Sequence, residues 1–311
     1  MASELTYTGH GNLFIAAALN RALWETIVDR TDISLTNIYM GSVNGQGSVA
    51  SKIAQASFDD AMGAANGDET TAIGNTDLGN STVTITVARQ ALKRVVTDIY
   101  QLVGGPRPGV ERFAADMVNA AQLRYTDMVC ALFTSLSSSV GTSGANMTLD
   151  DLYDALYALI RARASGKRYA VLAPIQFTDL MDSLRGEGLS ITPPDANSIL
   201  ASAGDTQGWG LAGTFAGCEI WSSDSCATNG ADKEGAVYTQ RCFGYQDGVP
   251  SELLQNAGPG SFISAMPSGS PIFVEFQRLA AEAHTLVVGN YYVGVSEMED
   301  ANGVKIVTSA S

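Results

Sequence analysis

The sequence has little charge and few of the side chains that bind metals. Charged residues make up 16 % of its 311 residues, where soluble domains carry about 25 %. It contains only two histidines and four cysteines, and no pair of cysteines has the Cys-x-x-Cys spacing typical of zinc sites. We therefore expect no metal site. A surface with so little charge is built from small polar residues or is hidden against other chains.

Basic residues are scarce, and long apolar runs are missing. Eighteen Lys and Arg stand against 32 Asp and Glu, which gives a net charge of −14. A surface that binds nucleic-acid phosphates needs clustered cations, so we expect no sequence-specific DNA binding. The longest apolar run, Leu13 to Leu19, is far shorter than the roughly 20 residues of a membrane span. Since no signal peptide is recognisable, we expect an intracellular chain with free thiols and no membrane partner.

Motifs for catalysis are also missing. The sequence has neither the phosphate-binding Gly-x-x-x-x-Gly-Lys-Ser/Thr loop nor the Gly-x-Ser-x-Gly nucleophile motif. Gly45-x-Gly47-x-x-Ala50 matches a loose dinucleotide fingerprint, but a turn precedes it where a buried strand is required. His284 lies beside Glu282 without a nucleophile pattern, and we interpret it as structural. We assign no catalytic, cofactor-binding or metal-binding residue and expect the chain not to be an enzyme.

An extended hairpin is predicted over residues 48–87. Residues 81–87 alternate between polar and β-branched side chains, which is typical of a strand, and residues 51–58 fit a strand or a short helix. The tip between them is too poor in large apolar side chains to build a core, so it is either disordered or ordered by another molecule. Its acidic residues are Asp68, Glu69 and Asp77.

Apolar residues at helical spacing predict a set of helices, one of which is unusually long. It covers about 110–136, roughly 40–45 Å at 1.5 Å per residue. It fits either a structural spine or an ordinary bundle helix. Thr148-x-x-Asp151 is a capping signal before another helix, and Pro174 begins the last one. The remaining predicted helices and their bounds are 12–29, 88–103, 149–164 and 174–184.

The second half of the chain is dominated by strand patterns. Short apolar, β-branched and aromatic runs alternate with loops rich in Gly, Pro, Ser and Asp. The predicted strands cover 169–172, 218–221, 237–240, 272–276, 285–288, 291–295 and 304–307.

Three stretches, taken in this order of elements, resemble the major capsid proteins of tailed bacteriophages, which share the Hong Kong 97-like fold. Lys167 to Pro174, followed by Phe177 and Leu180, looks like the strand-Pro-helix unit that opens that family's axial domain. Residues 211–223, Leu-Ala-Gly-Thr-Phe-Ala-Gly-Cys-Glu-Ile-Trp-Ser-Ser, look like the strand that follows its central loop. Residues 272–311 look like the strands that return to its peripheral domain.

The resemblance implies an α+β fold with five segments. These are an N-terminal arm (1–47), an extended β-hairpin loop (48–87), a peripheral domain with a long spine helix (88–165), an axial domain (166–266) and return strands of the peripheral domain (267–311). In this family the extended loop lies on a neighbouring subunit, which gives the coreless tip a partner that orders it.

The resemblance also implies a function. Such a protein self-assembles, as hexamers and pentamers, into the icosahedral head shell of a phage virion and encloses double-stranded DNA. Assembly takes place in the cytoplasm of the host bacterium, with a portal protein and, in some phages, a decoration protein as partners. Only about 47 residues precede the loop, so we expect a separate scaffolding protein. Lys52 is the only lysine in 48–87 and lies at the base, which predicts a shell without covalent crosslinks.

We expect the acidic tip to contact basic groups of a neighbouring subunit. The candidate contact residues are Asp68, Glu69 and Asp77 on one side and Lys93, Arg94, Arg107 and Arg112 on the other. Exposed charge pairs contribute about 0–1 kcal/mol each, so they set register more than strength. Two alternatives stay open: an encapsulin-like compartment shell, and an acidic cytosolic enzyme of unidentified chemistry.

Overall fold

A computed structural model of the chain describes eight stretches. They cover residues 36–43, 50–56, 80–97, 107–188, 209–249, 261–265, 271–282 and 284–310. The helices within them are α1 (Arg107–Ala131), α2 (Leu149–Arg161) and α3 (Pro174–Gly186). None of the helices in these stretches is long and apolar enough to cross a membrane.

The same stretches contain fifteen strands. In chain order they are β1 (Ile38–Ser42), β2 (Ala50–Ala56), β3 (Asn80–Thr86), β4 (Ala88–Thr97), β5 (Ser139–Val140), β6 (Arg168–Leu172), β7 (Trp209–Phe215), β8 (Cys218–Ser223), β9 (Ala227–Asn229), β10 (Asp232–Thr239), β11 (Phe243–Asp247), β12 (Phe262–Ala265), β13 (Pro271–Leu279), β14 (His284–Glu297) and β15 (Gly303–Ser309). The result is a mixed α+β fold.

One sheet has seven strands in the order β5-β15-β10-β6-β8-β7, with β9 paired to β10. Side chains alternate between the two faces of each strand. On β6, Ala170 and Leu172 pack into the core formed with α2 and α3. Tyr169 and Val171 pack into a second core, which also contains buried side chains of α1. Both faces of this sheet are therefore covered by the chain itself.

Local sequence signals set where the helices on this sheet begin. The Thr148 side chain accepts a hydrogen bond from the Asp151 backbone N–H, and the Asp151 carboxylate accepts one from the Thr148 N–H, which is a capping box. Pro174 occupies the first turn of α3, where its missing N–H costs nothing. The predicted starts of both helices are confirmed, within the usual uncertainty of helix ends.

The other sheet has six strands. Its path is β1-β11-β14-β13-β12, and β4 pairs with β14 over ten residue pairs. Helix α1 packs on one face of this sheet. At Gly289 a Cβ atom would lie only 2.2 Å from the Met117 sulfur of α1, so glycine permits this close packing.

Three aromatic rings join the two sheets. Phe133, in the 3-10 turn that follows α1, lies 5.8 Å from the ring of Tyr238 on β10 and 5.8 Å from that of Phe243 on β11. All three side chains are fully buried. Burial of one such ring contributes about 1.5–3 kcal/mol, so this cluster is a major connection between the sheets.

The long predicted helix is confirmed, and its packing distinguishes the two interpretations. Helix α1 has 25 residues, about 37 Å, and continues into a 3-10 turn over Leu132–Ser135. It packs on β4 and β14 at one end, and its other end reaches the core between the sheets. This is the position of a spine against sheets, and the bundle interpretation is wrong for the described part of the chain.

The structure corrects two sequence expectations. Residues 88–97 form strand β4 and not the predicted helix, because they pair with β14, almost 200 positions further along the chain. The two strands predicted over 285–288 and 291–295 are one strand, β14. The strand predicted over 304–307 is confirmed as β15, which lies next to β10 in the seven-stranded sheet. The helix predicted over 12–29 lies outside the described residues.

Candidate functional site

Strands β2 and β3 form the predicted hairpin ribbon. They pair in antiparallel fashion over seven residue pairs and pair with no other described strand. At the base of the ribbon, Ile85 and Val87 are buried, and β3 lies against β14. Gly294 allows this approach, since a Cβ there would lie 2.3 Å from the carbonyl oxygen of Thr86. The ribbon is therefore fixed to the six-stranded sheet at its base.

Strand β4 follows directly and lies at an edge of the six-stranded sheet as far as the described strands show. Among the described strands it pairs with β14 alone, so its second row of backbone groups faces away from the sheet. Its side chains are mostly exposed, and Val95 is 54 % exposed. Charged residues on an edge strand discourage unwanted pairing, and β4 carries Arg89, Lys93 and Arg94.

Two of the predicted basic contact residues, Lys93 and Arg94, lie in strand β4. Lys93 and Arg94 are neighbours on β4, so they point to opposite faces of the sheet. The Arg94 guanidinium already forms an ion pair with Asp116 of α1, at 3.5 Å. Arg107 and Arg112 lie in the first turns of α1. The acidic partners Asp68, Glu69 and Asp77 lie outside the described residues, so their contact with a neighbour stays a prediction.

A groove runs along the contact between α1 and the six-stranded sheet. It is lined largely by apolar side chains, and the Arg124 Nε at its rim donates a hydrogen bond to the Gln90 Oε1 at 3.1 Å. In the described part of the chain no three His, Cys, Asp or Glu side chains come close enough to hold a metal ion. The groove offers space for an apolar group but no arrangement for acid–base chemistry.

The cysteines lie in the interior. All four are buried free thiols. Burial raises the pKa of Cys218 to about 12, and a hydrogen bond with Cys226, together with burial, raises the pKa of Cys130. Since the thiolate is the reactive form, Cys130 and Cys218 act as small apolar side chains at neutral pH.

Two tyrosines hold the β1 segment in place. Tyr39 donates a hydrogen bond to Asp247 Oδ1 at 2.9 Å, and burial followed by this bond raises its pKa to about 12. Tyr125 of α1 accepts a hydrogen bond from the side-chain amide of Asn37 at 2.8 Å. These contacts have a structural explanation, since they satisfy polar groups where β1 packs against α1 and β11.

Comparison with solved structures finds the same architecture in shell proteins. The capsid of a native GTA particle matches with a TM-score of 0.58 and 12 % identity, over 90 % of this chain and 91 % of that one. The mature capsid of bacteriophage PhiM1 gives 0.55 and 11 %, over 91 % and 88 %. The SrpI encapsulin complex from Synechococcus elongatus PCC 7942 gives 0.56 and 13 %, over 88 % and 85 %.

The chain has the Hong Kong 97-like fold. No family model matches its sequence, and no curated protein matches it by sequence. At identities of 11–13 % the structural likeness establishes this fold and nothing further. It does so over nearly the whole chain and confirms the fold that the resemblance implied.

Within the Hong Kong 97-like fold of this chain, the sequence reasoning missed one surface. Helix α2 turns three large apolar side chains away from the seven-stranded sheet, namely Tyr153, Tyr157 and Ile160. The opposite face of the same helix is buried. The signal was present in the sequence, because Tyr153, Tyr157 and Ile160 recur at helical spacing, and they share the exposed face with Asp150, Asp154 and Arg161.

Proposed function

We propose that this chain is a structural shell protein whose copies assemble into a closed icosahedral shell. The observation that carries the proposal is the Hong Kong 97-like fold, which the chain shares over about nine-tenths of its length with capsid and encapsulin subunits. The low charge of the sequence and the ribbon that pairs with no other strand among the described residues both fit a subunit that buries surface against its copies.

Among shells of this fold, we propose the major capsid of a tailed phage, enclosing double-stranded DNA. The phage-like order of elements supports this assignment. The net charge of −14 also supports it, because an acidic inner wall repels packaged DNA and does not bind it. An encapsulin-like compartment is the second candidate, supported by the match to the SrpI complex at a TM-score similar to those of the phage and GTA capsids.

The two sheets suggest a domain division that differs from the one predicted. We assign the seven-stranded sheet with α2 and α3 to the axial domain, and the six-stranded sheet with α1 to the peripheral domain. Segments 139–140, 149–161 and 303–309 then move from the peripheral to the axial domain, and segments 243–247 and 262–265 move from the axial to the peripheral domain. Residues 1–47 stay assigned to an N-terminal arm and 48–87 to the extended loop.

Three further points belong to this proposal. The subunits form hexamers and pentamers, with the acidic tip of the loop on a neighbouring subunit. A separate scaffolding protein directs assembly, and portal and decoration proteins complete the head. The shell has no covalent crosslinks, because Lys52, the only lysine of the loop, lies in β2 opposite Thr84 near the base of the ribbon.

Electron microscopy of the full-length protein tests the proposal. The chain is expressed alone and together with its neighbouring genes, and the particles are purified and imaged in negative stain. Closed shells or capsomer rings are expected, and small uniform globules under both conditions would overturn the shell function. Correctly sized shells that need a co-expressed protein support the phage capsid, whereas shells from the chain alone that enclose a protein cargo support the compartment.

The proposed absence of covalent crosslinks is tested separately on a denaturing gel. Purified shells are boiled with reductant and separated on a denaturing gel. A single band at the monomer mass is expected, and a ladder of covalent multimers would contradict the absence of crosslinks.

A further inference from the structure

Helix α2 carries opposite charges at the two ends of its exposed face. Asp150 and Asp154 lie in its first half, and Arg161 lies in its last turn. These three residues are exposed and follow one another at spacings of four and seven residues, which places them on one stripe of the helix. Arg163, two residues beyond the end of α2, is exposed as well. We call Asp150 and Asp154 the acidic end, and Arg161 and Arg163 the basic end.

The basic end lies in a local excess of positive charge. Four of the 18 basic residues of the chain lie within positions 161–168, and positions 155–178 contain no acidic residue. The chain as a whole has a net charge of −14. Lys167 forms an ion pair with Glu219 at 2.5 Å. Within the described part of the chain, the side chains of Arg161 and Arg163 form no such pair.

The backbone at Arg163 is strained in a way that the turn itself does not require. Helix α2 ends in a Schellman motif, in which the Ala164 N–H donates to the Leu159 carbonyl at 2.9 Å and the Arg163 N–H donates to the Ile160 carbonyl at 3.0 Å. Arg163 has a φ of 56°, a left-handed conformation in which glycine is favoured. Residues held in such conformations cluster at functional positions, which points to a role for the arginine side chain.

The helix dipole explains only part of the charge pattern. It favours Asp150 in the first turn of α2 and Arg161 in the last. Asp154 lies beyond the first turn, where the effect has faded, and it repels Asp150, four residues before it. Among the described residues, no cation pairs with either carboxylate. A partner outside the subunit can supply the cations that the acidic end lacks.

A second copy of the chain matches both ends at once. In hexamers and pentamers the copies surround a rotation axis, so each copy meets its two neighbours through two different surfaces that complement each other. The acidic end of one copy complements the basic end of the next. Because about 17 Å of helix separates Asp150 from Arg161, the two ends can contact two different neighbours.

We propose that the two ends of α2 form a head-to-tail contact between neighbouring copies around the rotation axes of the shell. The inference rests on the proposed function, which supplies the hexamers and pentamers and places α2 in the axial domain. Tyr157, which is 65 % exposed between the two ends, adds apolar area to the contact. Exposed charge pairs contribute little strength, so their role is to select the neighbour and its orientation.

Crosslinking through introduced cysteines tests the contact. Asp150→Cys and Arg163→Cys are combined in one chain, and Asp154 and Arg161 keep their charges. Within one copy the two positions lie about 20 Å apart, beyond the reach of a bismaleimide with a two-carbon bridge. Each maleimide adds one thiol across its double bond, and no group leaves. Assembled protein is expected to give a ladder of covalent multimers that ends at five and six copies, and the native cysteines are buried.

The two single-cysteine variants are the matched controls. In a head-to-tail contact, Asp150→Cys meets no second introduced cysteine, and neither does Arg163→Cys, so both are expected to stay monomeric on a reducing denaturing gel. A covalent dimer from either single variant shows that like surfaces meet, and it overturns the head-to-tail contact. A double variant that stays monomeric in finished shells overturns it too.

Charge reversal tests whether the two ends match. One variant combines Asp150→Lys with Asp154→Lys, and the other combines Arg161→Glu with Arg163→Glu. Each alone brings like charges together and is expected to raise the protein concentration needed for assembly about tenfold. A one-to-one mixture restores opposite charges throughout a ring of six copies. A ring of five keeps one contact between like charges, so hexamers are expected to recover more fully than pentamers.

Light scattering measures the assembly threshold, and electron microscopy counts the copies in each ring. Circular dichroism first confirms that each variant is folded. The matched control is Arg185→Gln in the last turn of α3, where the guanidinium pairs with Asp182 of the same helix at 3.2 Å, and it is expected to assemble like the wild type. A mixture that assembles no better than its two components overturns the contact.

Arg163→Gly separates the charge from the turn. Glycine suits the left-handed conformation at this position, so a role in the turn alone predicts unchanged or improved assembly. The head-to-tail contact predicts instead an assembly threshold about threefold higher, because one charge of each contact is lost. Unchanged or improved assembly overturns the assignment of Arg163 to the contact.

The outcomes separate this inference from the shell function. If the wild-type chain forms shells but the double-cysteine variant gives no ladder in them, the head-to-tail contact is overturned and the shell function stands. If the wild-type chain forms no shells but the ladder still ends at five and six copies, the contact stands and the shell function fails.

Discussion

The two sheets of this molecule differ in how completely the chain covers them. The seven-stranded sheet has α2 and α3 on one face and the core shared with α1 on the other. The six-stranded sheet has α1 on one face, strand β4 at the edge of its described strands, and the ribbon fixed at its base. Among the described residues, the seven-stranded half therefore packs helices on both faces, whereas the six-stranded half carries an edge strand and a ribbon that pair with fewer elements.

The largest expected effect comes from breaking the connection between the two halves. Phe133 touches rings of both sheets, and Phe133→Ala is expected to lower the free energy of unfolding by about 3–5 kcal/mol. Urea denaturation followed by circular dichroism measures the loss. A single shifted transition is expected, because the shared core joins the sheets. Leu123→Ala, at an exposed position of α1, is the control and should change stability by less than about 0.5 kcal/mol. Two separate transitions in the Phe133 variant would show that the halves unfold independently.

The second effect concerns the base of the ribbon. In Gly294→Val the new side chain collides with the backbone of Thr86, so we expect a loss of about 1–3 kcal/mol. Hydrogen exchange followed by mass spectrometry should find protection lost in β3 and kept in the seven-stranded sheet. Gly186→Ala, where a Cβ meets no atom within 4 Å, is the matched control and should be neutral or slightly stabilising. Equal loss of protection in both sheets would contradict the local role of Gly294.

A smaller effect concerns the seven-stranded half, where α2 begins at the capping box of Thr148 and Asp151. Thr148→Ala removes the capping box of α2 and is expected to cost about 1 kcal/mol, because the first helical N–H groups lose their acceptor. Thermal unfolding measures the change. Thr178→Ala is the control, since its exposed hydroxyl bonds only the Pro174 carbonyl in the previous turn of α3. If both variants unfold at the same temperature, the capping box contributes nothing to this half.

The smallest effect lies at the open edge. Arg94→Gln removes the ion pair with Asp116, whose two side chains are 53 % and 42 % exposed, and is expected to cost about 0–1 kcal/mol, less at high salt. Lys93→Gln on the same strand is the matched control. A loss well above 1 kcal/mol that persists in 1 M salt would mean that Arg94 contributes through packing and not through its charge.

What the sequence predicted well is local. The starts of α2 and α3 follow from a capping box and a proline, and the ribbon follows from the period-two pattern of β3. Strand β4 was mistaken for a helix because Ala, Gln, Leu, Lys and Arg are good helix formers and its partner β14 is remote in sequence. A short window of residues contains no information about a strand partner that lies so far away in the sequence.

The candidate site was harder to predict than the fold. Lys93 and Arg94 were named as candidate contacts for the acidic tip on a neighbouring subunit, and the pleat of β4 points them to opposite faces of the sheet. Their acidic partners at the tip lie outside the described residues. The exposed apolar side chains of α2, Tyr153, Tyr157 and Ile160, were overlooked because that helix was predicted from its capping signal and the exposure of its faces was not considered.

Strand β3 continues into β4 with only Val87 between them, and this continuity has a mechanical consequence. A force that pulls on the ribbon is passed along the chain into β4. The hydrogen bonds between β4 and β14 lie perpendicular to the strands, so a pull along β4 loads its ten residue pairs in shear, all at the same time. A ladder that is sheared resists more force than one that opens pair by pair. Strand β4, which lies at an edge among the described strands, therefore also anchors the ribbon mechanically to β14.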